Sequence, residues 1–188
     1  MFTTIKDYIK ESAAEDNDFG CVMLYADSPD WDKFTQRVID KDDLYFAPDD
    51  DYGLEKQPHI TVLFGLHDKK INKEQLFDIL RNTPSFRIGV QDMDIFENEK
   101  FDVVKLNVPR NEFLLNMHNK FREFPHTMTH PDYNPHMTVA YVKKGKGPKY
   151  RKRFKYPINF KFNKGVYSEP DYRKSYFDLK NSYQNYTK

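Results

Sequence analysis

A short motif that occurs twice constrains this chain more than any other feature of its sequence. The first copy reads Pro-His-Ile-Thr-Val-Leu-Phe at residues 58–64, and the second reads Pro-His-Met-Thr-Val-Ala-Tyr at residues 135–141. Side chains alternate between the two faces of a strand, so the His and the Thr of each copy share one face. The repeat therefore predicts two strands that each bury a hydrophobic face and present an imidazole and a hydroxyl on the other.

Hydrophobic periodicity divides the rest of the chain into short strands and three helices. Helices are predicted at 31–39, 72–81 and 111–124, with Asn72 and Asn111 as candidate N-caps. The motif strands occupy comparable positions in two halves of the chain, which predicts two lobes related by a pseudo-two-fold axis around a cleft. Strands are predicted, with a turn at 163–165, at 19–26, 58–66, 85–96, 101–108, 135–142, 156–162, 165–168 and 174–179.

The paired His-x-Thr strands resemble those of the two-histidine (2H) phosphoesterase superfamily, which includes LigT-type RNA ligase-like proteins and cyclic phosphodiesterases. The resemblance covers residues 18–178. It implies an α+β fold of two antiparallel-sheet lobes around a central cleft, with the helices on the outside. The residues that flank the motifs, among them Gly65 and 142–143, are most similar to those of the anti-CBASS nucleases of tailed phages. Those enzymes degrade the cyclic oligonucleotide messengers of a bacterial immune system.

The motif residues have the chemistry that cleavage of a phosphodiester requires. Histidine titrates near neutral pH, so one imidazole can accept the proton of the attacking hydroxyl while the other protonates the leaving oxygen. Threonine hydroxyls can donate hydrogen bonds to the non-bridging phosphate oxygens. By resemblance to the superfamily, His59, Thr61, His136 and Thr138 carry a catalysis that needs no metal and no cofactor. The sequence leaves open which histidine is the base, and whether water or a ribose 2′-hydroxyl attacks.

Two further residues are candidates for substrate binding. Tyr25 ends the first strand, where the resemblance implies an aromatic residue, and it is expected to stack on a base. Glu169 follows the strand at 165–168 and is expected to accept a hydrogen bond from a base edge. Tyr52 and Tyr172 are weaker candidates. For each of these residues, an ordinary loop or rim position is the alternative.

Charged and histidine-rich segments admit both structural and functional interpretations. The basic residues at 143–155 are either a solvated loop or a segment that attracts a phosphate-bearing ligand. Their position directly after the second motif favours attraction of a ligand. The acidic residues at 40–51 are interpreted as a solvated loop, because their spacing fits no calcium-binding loop. His126 and His130 are not assigned to a metal, since flanking prolines disfavour a helix there. His67 and His118 are interpreted as structural.

Composition and length exclude several classes of protein. The 188 residues suffice for a single domain, predicted at 18–180, with an N-terminal arm or short helix at 1–17 and a tail at 181–188. The formal net charge of +1 disfavours binding to duplex nucleic acid. The absence of a long apolar run predicts no membrane span, and the single Cys21 excludes an internal disulfide. We expect a cytoplasmic monomer, located in the host cytoplasm if a phage encodes it.

Three functions are compatible with the motifs. The leading hypothesis is a phosphodiesterase that linearises cyclic di- or trinucleotide messengers and so lets a phage evade host immunity. The first alternative is a 2H phosphoesterase of RNA processing that acts on 2′,3′-cyclic phosphate ends or on 2′-5′ oligonucleotides. The second is a non-catalytic module that sequesters a cyclic nucleotide. The complete His and Thr sets in both motifs disfavour sequestration, because a binding module needs no acid–base pair.

Overall fold

The strands in the described part of the chain form one eight-stranded sheet. A computed structural model describes residues 19–47, 52–128 and 132–186, with side chains described as far as residue 181. Three expectations therefore lie outside the described residues. They concern the N-terminal arm at 1–17, His130, and the acidic residues Asp49, Asp50 and Asp51.

The described part of the chain contains three α-helices, two short 3₁₀ helices and eight strands. Asn72 and Asn111 cap helices as predicted, because their side-chain oxygens accept hydrogen bonds from the backbone N–H groups of Gln75 and Leu114. The helices are α1 (Trp31–Val38), α2 (Lys73–Asn82) and α3 (Glu112–Phe121). The strands are β1 (Phe19–Asp27), β2 (His59–His67), β3 (Pro84–Glu97), β4 (Phe101–Asn107), β5 (His136–Lys143), β6 (Lys152–Ser168), β7 (Lys174–Asp178) and β8 (Lys180–Tyr186).

The order of the strands divides the sheet into two halves that share β6. The order is β2-β1-β6-β3-β4-β5, with β7 paired to β6 and β8 paired to β3. The last part of β6 pairs with β1, and its first part pairs with β3. β8 runs parallel to β3, whereas the other pairs are antiparallel. This arrangement confirms the predicted α+β fold class, with the two lobes formed by two halves of a continuous sheet.

The motif strands β2 and β5 stand at opposite ends of this order, yet they contact each other. The sheet therefore curves until its ends meet. The segment that leads into β2 runs beside β5, where the Glu55 N–H donates to the Val139 carbonyl at 2.9 Å. The segment that leads into β5 runs beside β2, where the Thr127 N–H donates to the Gly65 carbonyl at 2.9 Å. Each motif strand is thus held by the segment that precedes the other.

The main core lies on one face of the sheet, and the motif His and Thr residues lie on the other. Ile60 and Val62 of β2, with Met137 and Val139 of β5, are buried in this core, as the alternation within the motif predicts. Helix α3 packs on β2, and α2 packs on β6 and β7. The opposite face carries two smaller clusters, one of Cys21, Met23, Tyr25, Phe64 and Val166 in the first half and one of Phe101, Val103 and Tyr141 in the second.

The prediction of two strands joined by a turn at 163–165 is wrong, because β6 runs through this segment. It is one strand of 17 residues, with an irregularity in its register to β1 that skips Asn163. Gly165 serves packing, because a Cβ atom there would lie 2.8 Å from Cδ2 of Leu80 on α2. The glycine that looked like a turn signal lets the helix approach the sheet.

The C-terminal residues extend the sheet and do not form the expected tail. Residues 180–186 form β8, and the Lys180 N–H donates to the Thr83 carbonyl at 2.8 Å where β8 meets the start of β3. The polar composition of 181–188 gave no strand signal. Pairing with an existing edge depends on backbone groups, so it does not require an apolar face in the added strand.

Removal of residues 180–188 is expected to lower the stability of the protein, because it exposes the backbone groups of β3 that β8 pairs with. Several lost hydrogen bonds, less the chain entropy regained, correspond to about 2 kcal/mol of unfolding free energy. For a chain of this size, this amounts to about 4–8 °C in Tm. Thermal unfolding followed by circular dichroism checks this, with removal of 187–188 alone as the control. Equal Tm values for the two truncations would contradict the prediction.

Candidate active site

The two motif histidines have the same hydrogen-bonding arrangement. They are the first residues of β2 and β5. Nδ1 of His59 lies 2.8 Å from the carbonyl oxygen of Gln57, and Nδ1 of His136 lies 2.9 Å from the carbonyl oxygen of Asn134. A carbonyl oxygen only accepts, so Nδ1 carries the hydrogen in both rings. Nε2 is then the nitrogen through which each neutral imidazole can take up a proton.

The backbone around the two histidines also matches. The carbonyl of Pro58 accepts a hydrogen bond from the Ala26 N–H at 2.9 Å, and the carbonyl of Pro135 accepts one from the Val108 N–H at 3.1 Å. In both cases the donor belongs to the end of the neighbouring strand or to the residue that follows it. The predicted pseudo-two-fold relation therefore extends from the sequence motif to the hydrogen bonds that place it.

Each motif strand has an irregularity directly after its threonine. The register between β2 and β1 skips Val62, which follows Thr61, and the register between β5 and β4 skips Val139, which follows Thr138. Such a β-bulge bends the strand and redirects the side chains beside it. The matched bulges give the His-Thr pair of each half the same local geometry.

The carbonyls at these bulges are satisfied from outside the local strand pair. The Val139 carbonyl accepts from the Glu55 N–H, whereas the Val62 carbonyl accepts from Nδ1 of His118 on α3 at 2.7 Å. The His118 ring also stacks on Tyr133, with ring centroids 4.3 Å apart, in the segment that leads into β5. His118 thus contacts Val62 within the first motif and Tyr133 in the segment before the second. Burial lowers the pKa of His118 below its ordinary value, despite the opposing effect of the Val62 carbonyl.

Aromatic and cationic residues surround His59 in the first half. Tyr25 is opposite His59 in the strand register, and the two ring centroids are 5.3 Å apart. Nζ of Lys174 donates to the Tyr25 hydroxyl at 3.0 Å. Tyr25 is only 7% exposed, whereas Tyr176, which meets its ring edge-on, is 52% exposed. The structure thus places Tyr25 beside His59, but Tyr176 presents more ring surface to a ligand.

The second half surrounds its motif with different residues. The ring of Phe96 meets His136 edge-on, with centroids 4.9 Å apart. Lys105 is directly opposite Thr138 in the strand register, and it is buried. The corresponding residue opposite Thr61 in the first half is Met23. The two halves therefore share their histidines and threonines but differ in the residue opposite the threonine, which is apolar in the first half and charged in the second. Lys105 was not among the residues predicted for the site. The available signal was a single lysine in a strand that is mostly apolar.

The remaining candidates for substrate binding have other contacts. Both carboxylate oxygens of Glu169 form ion pairs, with Lys73 at 2.9 Å and with Arg173 at 2.7 Å. A base edge would compete with these cations, so recognition by Glu169 stays a prediction. Tyr172 is exposed, and it has a positive φ of 66° at the turn between β6 and β7. Tyr52 packs against aromatic rings of the cluster in the second half, which is a structural position.

Much of the positive charge at 143–155 is paired with acidic side chains. Such pairing weakens the field that a distant anion would meet. The segment is not the expected loop throughout, because Gly147–Tyr150 form a 3₁₀ helix and its last residues belong to β6. Attraction of a ligand stays a prediction. The ion pairs are Lys144–Asp102, Lys149–Asp43, Arg151–Asp94 and Arg153–Asp92.

Neither the cysteine thiol nor the possible metal ligands form a second reactive site in the described part of the chain. Cys21 is buried as predicted, and burial raises the pKa of its thiol to about 12, so it is not a thiolate at neutral pH. Within the described ranges, no group of three or more His, Cys, Asp or Glu side chains could hold a metal ion. Of the helices described, none is long and apolar enough to cross a membrane.

A curved sheet that brings two His-x-Thr strands together, each histidine held through Nδ1, is the architecture of a two-histidine phosphoesterase. The chain belongs to the 2′-5′ RNA ligase superfamily, whose family model matches residues 23–164. Members of this superfamily are phosphodiesterases. Among curated protein sequences, none matches the chain at a significant level.

Solved structures of low sequence identity share the fold. Kluyveromyces marxianus Usb1 is 10% identical, with a TM-score of 0.57 over 87% of this chain and 99% of that protein. The same protein with uridine monophosphate gives a TM-score of 0.53, at 10% identity over 86% and 98% of the two chains. Escherichia coli LigT complexed with 3′-AMP gives 0.50, at 13% identity over 86% and 96%.

Two replacements of His118 are expected to distinguish the contribution of its hydrogen bond to Val62 from that of its ring contact with Tyr133. His118→Phe keeps a ring against Tyr133 but leaves the Val62 carbonyl without its donor, which costs about 1–2 kcal/mol, or ~3–6 °C in Tm. His118→Asn keeps an N–H donor in place of Nδ1 and is expected to lose less. Thermal unfolding at neutral pH makes the comparison. A loss in His118→Asn as large as that in His118→Phe would contradict the prediction that the hydrogen bond to Val62 contributes more than the ring contact.

The same residue makes stability depend on pH. Because the folded-state pKa of His118 is lowered, its neutral form stabilises the fold above the unfolded-state pKa of about 6.5. That contribution is lost as the pH falls from about 6.5 towards the lower folded-state value. The Tm of the wild type is therefore expected to fall more steeply than that of His118→Asn below pH 6.5. Parallel pH profiles would contradict this.

Proposed function

We propose that this chain cleaves phosphodiesters by general acid–base catalysis with His59 and His136. The observation that carries the proposal is the matched pair of imidazoles, each of which donates through Nδ1 to a backbone carbonyl. Because both rings carry a hydrogen on Nδ1, Nε2 is the atom in each ring that can accept or donate the catalytic proton. Contact between β2 and β5 brings the two strands that carry them together.

The reaction needs the two histidines in different protonation states. Nε2 of one neutral imidazole accepts the proton of the attacking water or 2′-hydroxyl as its oxygen bonds to phosphorus. Nε2–H of the other, an imidazolium, gives its proton to the leaving oxygen as the old P–O bond breaks. The hydroxyls of Thr61 and Thr138 share the faces of their histidines and donate to the non-bridging oxygens, where negative charge builds up. The proton taken and the proton given leave the total charge of the pair unchanged.

The substrate class that we propose is a cyclic di- or trinucleotide messenger of bacterial immunity. It is supported by the similarity of the residues that flank both motifs to those of anti-CBASS nucleases. The exposed ring of Tyr176, beside Tyr25 and Lys174, offers a stacking surface and a cation next to His59. Stacking on an aromatic ring is worth about 1–3 kcal/mol per base and does not depend on a particular base.

A second candidate substrate class is an RNA end or a 2′-5′ oligonucleotide. It is supported by the 2′-5′ RNA ligase superfamily match and by the nucleotides in the related structures, which are 3′-AMP in LigT and uridine monophosphate in Usb1. The proposed acid–base pair would serve both classes, because each contains a phosphodiester between nucleosides.

Replacement of either motif histidine by alanine is expected to lower turnover by about a hundredfold or more, the usual scale of general acid–base catalysis. His59→Ala and His136→Ala should each have this effect, while Thr61→Ala should cost less because only one donor is lost. Steady-state kinetics on one hydrolysed substrate measures the losses. His67→Ala is the matched control, since His67 lies on the same strand but binds Thr127. Near wild-type turnover in either motif variant would rule out the assignment.

A substrate panel in excess EDTA is expected to show hydrolysis without an added metal ion. It would contain cyclic di- and trinucleotides, a linear 2′-5′ oligoadenylate and a 2′,3′-cyclic mononucleotide, with products read by chromatography and mass spectrometry. Linearisation of the cyclic species supports the messenger hypothesis. Turnover of only the linear or mononucleotide substrates supports RNA processing. Binding without products in any condition would contradict catalysis, and activity that returns only with a divalent ion would contradict the metal-free mechanism.

A further inference from the structure

We propose that Lys105 is a phosphate-binding residue of this site, and that its ammonium contacts a phosphate oxygen of the substrate on the His136 side of the cleft. The inference rests on the proposed function and deepens it. It adds a cation to a set of groups that, in the motifs, consists only of imidazoles and hydroxyls.

The strand register places Lys105 next to the proposed phosphate position. Lys105 is directly opposite Thr138, and Asn107 is directly opposite His136. Side chains of directly opposed residues in an antiparallel pair share a face, with Cβ atoms about 4.5–5.5 Å apart. The ammonium of a lysine can therefore reach an oxygen that the Thr138 hydroxyl also binds. Nζ already points towards the position of His136, because it donates to the side-chain oxygen of Asn107, the residue opposite that histidine.

The positive charge of Lys105 is incompletely compensated within the protein. Its side chain is only 8% exposed, and Nζ donates to the neutral Asn107 and lies 4.5 Å from the centroid of the Phe96 ring. The one carboxylate that pairs with Nζ among the described residues is Asp94, whose Oδ2 lies at the long distance of 3.9 Å and whose Oδ1 binds Arg151 at 3.0 Å. Burial lowers the pKa of Lys105, and Asp94 only partly opposes this. A buried cation with weak partners favours an anionic ligand.

The other half of the site shows that the fold does not require this charge. Met23 occupies the position opposite Thr61 that corresponds to Lys105 opposite Thr138. Met23 packs in the small apolar cluster beside the first motif. A lysine and a methionine have similar lengths and volumes, so the same structural position accepts an apolar side chain. The lysine therefore costs desolvation that the fold could avoid, and its function lies in the ligand.

The test replaces Lys105 by the residue of the other half, as Lys105→Met. Lys100→Met is the matched control, because it removes an exposed lysine from the hairpin that leads into the same strand. The first readout is the rise in Tm that inorganic phosphate causes at neutral pH. The second is kcat/KM on whichever phosphodiester the wild type hydrolyses. Lys105→Gln, which keeps a polar contact to Asn107, replaces the methionine variant if that one does not fold.

We expect Lys105→Met to have a Tm without ligand equal to or above that of the wild type, because a buried charge is replaced by an apolar group. We expect it to lose most of the phosphate-dependent rise in Tm and to lower kcat/KM tenfold or more. Lys100→Met should change neither readout. A lower Tm with an unchanged phosphate response would make Lys105 a structural residue and overturn the proposal. So would a wild type whose Tm does not respond to phosphate.

The two readouts separate this inference from the proposed function. If phosphate stabilises the wild type through Lys105 but no phosphodiester in the panel is cleaved, the phosphate site stands and the proposed catalysis fails. If His59→Ala and His136→Ala abolish hydrolysis while Lys105→Met retains full kcat/KM and the phosphate response, the catalysis stands and the role of Lys105 is refuted.

Discussion

The exchange of backbone hydrogen bonds between the two motif strands and the two segments that lead into them is the constraint on which the site depends. β2 and β5 end the strand order, and an end strand has an edge of unpaired N–H and C=O groups. Here the segment before each motif pairs with the edge of the other motif strand. These bonds use part of each edge and couple the positions of the two motif strands, because a shift of either strand would break bonds to the segment that leads into the other.

The two halves of the site are alike in the contacts that hold the histidines and unlike in the residues that surround them. The Nδ1 contacts, the proline carbonyls and the bulges after the threonines repeat in both halves. The neighbours do not, since Tyr25 and Lys174 lie in one half and Phe96 and Lys105 in the other. An acid–base pair must hold its two members in different protonation states. The proposed pair has the same geometry in both halves but different neighbours, which gives each histidine its own surroundings.

Local features were predictable and non-local ones were not. The alternation in the motif predicted burial of Ile60 and Val62, and the asparagine caps were recognised because an N-cap bonds to a backbone group only a few residues away. Gly165 was misinterpreted as a turn, since nothing in the sequence shows that Leu80 of α2 packs against it. β8 was missed because its pairing depends on the backbone edge of β3 and not on its own side chains. The ion pairs of Glu169 with Lys73 and Arg173 could likewise not be inferred from its position after a strand.

The sequence by itself determined the family, the class of fold and which motif residues share a face, because strand alternation is a property of the local backbone. A common cleft for both motifs was expected from the sequence, but only the tertiary structure decided how they meet, since this depends on the curvature of a sheet assembled from distant strands. It also decided the neighbours of the motifs. Lys105 faces Thr138, and His118 reaches the Val62 carbonyl, only because particular registers and a helix packing bring them there. Such contacts join residues far apart in the chain, and no local pattern encodes them.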